Sequence, residues 1–205
     1  MEKPCQNKVM ARSRQLVLAS TSIYRRQLLQ RLAIPFECAA PDIDESRLAG
    51  ERAQDMAMRL SLAKAQAVAL RFPQALVIGS DQVAVRDGEP LGKPGSYARA
   101  LAQLRSLSGR AADFHTAVSL LDARSGEARS HLVSCRVEFR ELDDRQIENY
   151  LRLEQPYDCA GSAKSEGLGI ALIRRIETDD PTSLIGLPLI ALTTMLEQAG
   201  IAVLG

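Results

Sequence analysis

The sequence predicts an α/β protein, a mixed β-sheet flanked by helices and arranged as two lobes around a cleft. Three observations carry that prediction. Strand-length apolar runs alternate with helix-length amphipathic ones, two adjoining segments show the period-two alternation of a long hairpin, and no repeat or low-complexity tract interrupts the chain. With 205 residues, 22.4 kDa, 46% apolar and 25% charged residues, the chain has the composition of one globular domain able to bury roughly 70% of its unfolded surface. Disordered, collagen-like and small disulfide-scaffold classes are thereby excluded. No apolar run approaches the roughly 18 residues that a membrane-spanning helix requires.

The elements follow in order. Residues 15–19 (QLVLA) read as a short apolar strand, and Ser22 suits the N-cap of a helix over about 23–33 that carries Leu28, Leu29 and Leu32 on one face and stops at Pro35. A second strand over 36–40 precedes the acidic loop PDIDE (41–45). A helix over about 51–72, buried through Met56, Leu60, Ala63, Ala67 and Leu70, ends before Pro73. The run ALVIG (75–79) then reads as a buried strand that delivers Asp81 at its C-terminal end.

A turn at Asp87-Gly88 and the tripeptide GKP (92–94) lead to a helix capped by Ser96, with Ala100, Leu101, Leu104 and Leu107 inward and Gly109 at its end. Segments 113–121 and 131–140 form the hairpin, with His115 and His131 as ordinary strand residues. Asp143 caps a helix bearing Ile147, Tyr150 and Leu151. The polar stretch 158–167 leads into an expected strand LGIALI (168–173), and Pro188 opens a last helix through Leu192 and Leu196 to Gly200. Residues 1–13 read as a flexible extension, with Met10 available as an alternative start, and residues 14–205 as a single domain.

Charge and cysteine usage narrow the function. Lys3, Lys8, Arg12 and Arg14 face only Glu2 in the first 14 residues, so the rest of the chain carries 22 basic against 24 acidic residues. A body of net charge −2 is poorly suited to gripping a nucleic-acid polymer. The basic N-terminus lacks the apolar segment of a secretory signal. Cys5, Cys38, Cys135 and Cys159 are widely spaced without a CxxC pair, which fits a reducing cytoplasm better than a zinc site or a disulfide framework.

Two clusters carry chemistry. Ser20, Thr21, Ser22, Ile23, Tyr24 and Arg25 stand between a strand and a helix start, where hydroxyls, orphan amides and the helix dipole favour an anion and a guanidinium suits phosphate. The same residues also suit a plain N-cap followed by an exposed arginine. Glu45 and Asp81 supply hard oxygen ligands for a divalent metal, and Lys64 and Lys93 supply cations for charge on departing phosphate oxygens. A carboxylate placed after ALVIG is costly unless it is used. The chain has no GxxxxGK[ST], no GxGxxG in the right context and no GxSxG, which removes P-loop, dinucleotide and acyl-hydrolase readings.

Seven segments together carry a resemblance: LASTSIYRRQLL (18–29), PDIDE (41–45), LAKAQAV (62–68), IGSDQVAV (78–85), GKP (92–94), and YDCAGSAKSEGLGIAL (157–172) with DPTSLIGLPL (180–189). In order and spacing, from about residue 15 to 200, they resemble the Maf family of nucleoside triphosphate pyrophosphatases. That resemblance implies an inosine-triphosphate-pyrophosphatase-like fold and cleavage between the α- and β-phosphates with a divalent cation, Mg, Mn or Co. It implies Asp81 as proton acceptor or organiser of a metal-bound water, Glu45 with Asp81 at the metal, and Ser20, Ser22, Arg25, Lys64 and Lys93 on the phosphates.

Tyr24, Gln82 and Glu166 stand where the 7-methyl-GTP-preferring subgroup carries an aromatic, Gln and Glu, although the usual aromatic is Trp. The dTTP/UTP subgroup has Arg, Thr and Gln there. N7-methylation makes the purine cationic, so an aromatic face and a carboxylate are the groups chemistry requires. The expected partner is a nucleotide, with neither nucleic-acid polymer nor membrane, in a monomer or homodimer in the cytoplasm. Two alternatives stand beside it: dTTP/UTP hydrolysis, and a non-catalytic nucleotide-binding inhibitor of cell division.

Overall fold

A computed structural model describes residues 14–204; the extension expected over 1–13 lies outside them. A seven-stranded mixed sheet runs in the order β2-β1-β3-β5-β6-β7, with β4 paired to the far end of β3. Its strands are β1 (Leu16–Ala19), β2 (Glu37–Ala39), β3 (Leu76–Arg86), β4 (Glu89–Leu91), β5 (Ala111–Asp122), β6 (Ala128–Phe139) and β7 (Ile173–Glu177). β1 lies parallel to both β2 and β3, and the other pairings are antiparallel. Five α-helices flank the sheet: α1 (Ile23–Gln30), α2 (Ala53–Ala69), α3 (Tyr97–Leu107), α4 (Asp144–Glu154) and α5 (Leu189–Gln198). The α/β class and flanking helices are as the sequence predicts.

Alternation along β3 organises the layers. Val77, Val83 and Val85 meet Ala57, Ala65 and Val68 of α2 on one face. Leu76 and Ile78 face the other way, against Leu28 and Leu29 of α1 and Leu192 and Leu196 of α5. Farther along that second face, Ala84 and Phe114 pack with Leu104 and Leu107 of α3 and with Ile147 and Leu151 of α4. One helix thus covers one face, while two helix pairs divide the other. The caps at Ser22, Ser96 and Asp143 are present as expected, the last as a reciprocal capping box with Gln146. His115 is a buried strand residue held by Gln54 and Ser134.

Four local expectations are corrected. β3 does not end near Gly79 but continues to Arg86, because β5 pairs with it throughout and satisfies the backbone of the polar SDQ segment. On α2 the buried face is Ala57, Leu60, Ser61, Lys64, Ala65 and Val68, and Leu70 is 86% exposed. A buried lysine and serine hide that face from a hydrophobic-pattern reading. Residues 168–172 form a 3-10 turn and the strand begins at Ile173; Gly169 fits so tightly over Lys164 that a Cβ would lie 2.5 Å from its backbone nitrogen and oxygen. The first helix is also shorter than expected, ending at Gln30.

Candidate functional site

The cleft opens where β3 lacks a neighbour. β1 pairs with Leu76–Gly79 and β4 with Ala84–Arg86 on the same side, so the edge between these two pairings carries no strand partner. Asp81 sits within this gap. It is mid-strand, yet it lies past the carboxyl end of the parallel β2-β1-β3 unit, the place where open α/β sheets accept ligands. The correction to the strand's length therefore leaves Asp81 at a cleft.

The side chain of Asp81 points to α2, where Lys64 Nζ donates to its Oδ1 at 2.6 Å and also meets Glu45 Oε1 at 2.8 Å. Lys64 is 4% exposed and Asp81 6%. Burial of both charges is tolerable because each compensates the other. Glu45 reaches in from an exposed loop that Arg59 holds, through Glu51 Oε1 at 2.6 Å and the Ser46 carbonyl at 3.0 Å.

Across the gap is the turn after β1. Ser20 is buried and its hydroxyl accepts from the Ser22 amide at 3.1 Å, while the Ser22 hydroxyl accepts from the Arg25 amide at 3.4 Å. The amides of Ile23 and Tyr24, which have no partner within the helix, find no acceptor among the described residues. Arg25 Nε donates to the Gly186 carbonyl at 2.8 Å, and no protein acceptor meets its two terminal nitrogens among the described residues. Burial pulls the Arg25 pKa below its ordinary value, against the opposing pull of Asp81 and Glu45. Among described groups this cation is short of a direct carboxylate partner, the condition of an anion site.

Gln82 points to the opposite face from Asp81. Its Nε2 lies 3.0 Å from Thr116 Oγ1, 2.9 Å from the Ser183 carbonyl and 3.0 Å from the Leu184 carbonyl. These contacts orient the amide so that its oxygen is the atom left for the cleft. Ser80 likewise meets the Gly186 carbonyl at 2.9 Å. The loop holding these carbonyls is fixed by buried Asp180, which accepts from the Thr182 and Ile190 amides. Gly186 has φ +122°, a conformation that side chains disfavour.

Tyr24, Asp158, Cys159 and Glu166 also line the cleft, the first three in contact with one another. Burial raises the Glu166 pKa, with Glu154 and Asp158 adding to the rise and Lys164 opposing it. Burial, then Asp158, pushes the Cys159 thiol up to about 12. Lys93 lies exposed on the loop after β4, at the cleft margin.

Ser20, Ser22, Tyr24, Arg25, Glu45, Lys64, Asp81, Gln82, Lys93 and Glu166 thus all line one cleft of about 1190 Å³. Sequence reasoning missed Gly186, Ser183 and Leu184, which act through backbone carbonyls without a side-chain signature. It also missed Asp158 and Lys164, although both lie in the quoted YDCAGSAKSEG segment. No group of three or more His, Cys, Asp or Glu side chains gathers as a metal cage among the described residues. The Glu45–Asp81 pair fits a divalent cation of the kind that completes its shell with substrate phosphates, since both carboxylates already converge on the Lys64 ammonium.

Fold and cleft together define an α/β protein in which a turn rich in hydroxyl, amide and guanidinium donors faces a carboxylate–lysine cluster across a break in the sheet. The Maf-like protein family model matches residues 15–199, and the chain belongs to that family. Similar proteins include ones named 7-methyl-GTP pyrophosphatase from Albidiferax ferrireducens (58% identical, 94% of this chain and 96% of that one), Polaromonas sp. (61%; 93% and 87%) and Cupriavidus pinatubonensis (60%; 90% and 93%).

Proposed function

We propose that the protein hydrolyses 7-methyl-GTP to 7-methyl-GMP and diphosphate, clearing modified nucleotides in the cytoplasm. The observation that supports this reading best is the Lys64-clamped Asp81–Glu45 pair facing the Ser20–Arg25 turn, with the Tyr24 and Glu166 side chains lining the same cleft. Free Cys38, Cys135 and Cys159 fit a reducing compartment. No helix among the described residues is long and apolar enough to cross a membrane.

In this reading the Ile23 and Tyr24 amides, the Ser20 and Ser22 hydroxyls and the Arg25 guanidinium hold the triphosphate, and Lys93 approaches from the other margin. Glu45 and Asp81 would hold a divalent cation (Mg, Mn or Co), which supplies neutralisation of phosphate oxygens when bound. Asp81 accepts the proton of the water that attacks the α-phosphorus. Lys64 orients the Asp81 carboxylate through its 2.6 Å contact, and Arg25 and Lys93 stabilise the charge that collects on the departing diphosphate. Tyr24 stacks on the base, Glu166 faces its positive charge and the Gln82 amide oxygen accepts from its edge.

A nucleotide panel supplemented with each metal in turn and scored for diphosphate tests the proposal. The highest kcat/KM is expected on 7-methyl-GTP, above GTP, dTTP and UTP. A maximum on dTTP or UTP would overturn the substrate assignment, and binding without turnover would overturn the enzyme reading.

A further inference from the structure

The base end of the cleft contains a carboxylate with no role so far. Asp158 is exposed and accepts the Tyr24 hydroxyl, with Oδ2 at 3.2 Å and Oδ1 at 3.4 Å. The Cys159 thiol lies 3.8 Å from the same phenol oxygen and 3.5 Å from Asp158 Oδ1. Tyr24 stands in the first turn of α1, and a phenol held at its outer end by a carboxylate cannot swing freely about its side-chain torsions. The hydroxyl that makes this tether possible is absent from phenylalanine.

Tyr24 also already receives a cation. Lys164 Nζ lies 5.5 Å from the ring centroid, within cation–π range, and is held there by Glu154 Oε1 at 2.9 Å. Asp158 at the phenol and Glu154 at Lys164 stand near Glu166, whose pKa, raised first by burial, is raised further by repulsion from these two carboxylates and lowered by Lys164. Arg25 and Lys93 belong to the phosphate end. A positively charged base placed against Tyr24 would relieve that repulsion, whereas a neutral base would not.

We propose that Asp158 is a specificity-determining residue, holding the Tyr24 ring in place for stacking and setting a second negative charge beside a cationic, N7-methylated purine. This inference rests on the methylguanine reading above. Its two parts are separable. Asp158→Asn keeps the shape and an acceptor for the phenol but removes the charge, whereas Tyr24→Phe removes the tether and keeps the charge.

The test is steady-state kcat and KM on 7-methyl-GTP and GTP, at low and high salt, for wild type, Asp158→Asn and Tyr24→Phe. Asp158→Asn is expected to lower the 7-methyl-GTP:GTP ratio of kcat/KM by about three- to tenfold, chiefly through KM for the methylated nucleotide, the size expected of one exposed charge. Tyr24→Phe is expected to lower the ratio less. An Asp158→Asn ratio within twofold of wild type overturns the proposal while leaving the methylguanine reading intact. A wild-type ratio at or below one refutes that reading and the proposal with it. The wild type supplies a second test that needs no variant: attraction between an exposed carboxylate and a cationic base is screened, so the ratio falls as salt rises, and a salt-independent ratio overturns the proposal.

Discussion

Gly79 on β3 lies so close to Ser61 on α2 that a Cβ at Gly79 would stand 2.0 Å from the Ser61 carbonyl oxygen and 2.9 Å from the Ala65 amide nitrogen. The helix can therefore lie directly on the strand, and Lys64, between those two contact points in sequence, reaches Asp81. Because the opposing atoms are backbone, Gly79→Ala cannot be relieved by a rotamer change. It should cost about 3 kcal/mol or more, the upper end of overpacking penalties, and lower kcat by more than tenfold. Urea denaturation and turnover check this, and a variant as stable and active as wild type would show that α2 need not sit so close.

Lys64 and Asp81 form a buried pair, and breaking such a pair from one side costs more than removing both charges. Lys64→Met should destabilise the protein by about 3–5 kcal/mol. Adding Asp81→Asn should recover part of that loss, and a double-mutant cycle by chemical denaturation measures the coupling. Additive losses would mean that the two charges are independently solvated.

Arg25 is held by Nε to the Gly186 carbonyl, and its terminal nitrogens meet no protein acceptor among the described residues. Under the proposed phosphate-binding role, Arg25→Ala should lower kcat/KM by roughly 2–4 kcal/mol for every triphosphate alike, since that role puts the guanidinium on phosphate and not base. The check is a comparison of at least three nucleobases; a loss confined to one would contradict the phosphate role.

Tyr24→Ala should reduce discrimination between 7-methyl-GTP and GTP by about 3- to 30-fold, the range of a lost stacking contact. Glu166→Gln should also reduce it, and the double variant should lose less than the two losses combined if both residues position one ring. Because the Glu166 pKa is raised, its negative charge disappears at a higher pH than that of an ordinary glutamate. Discrimination should therefore fall on acidification from neutrality in wild type, and by less in Glu166→Gln. Parallel pH profiles for the two would remove Glu166 from base selection.

The Glu51 carboxyl, bonded to Arg59, is held down at about 2 against an ordinary 4.5. A depressed carboxylate contributes stability above the unfolded-state value, and that contribution is lost as pH falls from about 4.5 through 2. Arg59 also holds the Ser46 carbonyl, so acid should release the loop that carries Glu45. Amide hydrogen exchange over residues 45–51 should quicken across that pH window, and Arg59→Gln should reproduce the effect at neutral pH. Unchanged exchange in Arg59→Gln would show that the loop is held otherwise.

Much of the fold was legible because its signals are local. The caps at Ser22, Ser96 and Asp143 and the hairpin's alternation depend on neighbours in sequence. What was hidden depends on pairing across the sheet: nothing in SDQ announces that β5 carries β3 onward to Arg86. The buried face of α2 was misjudged because Lys64 and Ser61 belong to it, and they are there for Asp81 and for Ser119, whose hydroxyl meets that of Ser61 at 2.8 Å. The site was more legible than the fold around it, since charged and hydroxyl groups in quoted motifs converge on one cleft. The loop carbonyls of Ser183, Leu184 and Gly186 could not be read, because every residue has one.

The most direct measurement follows the products formed from 7-methyl-GTP by wild type and Asp81→Asn, quantifying diphosphate and 7-methyl-GMP together while thermal melting confirms that both proteins fold. Wild type should release the two in equal amounts, and Asp81→Asn should lose about 10²-fold or more in kcat with the fold intact. Release of inorganic phosphate in place of diphosphate, or near-normal turnover by Asp81→Asn, would contradict cleavage of the α–β bond by a carboxylate held at the break in the sheet.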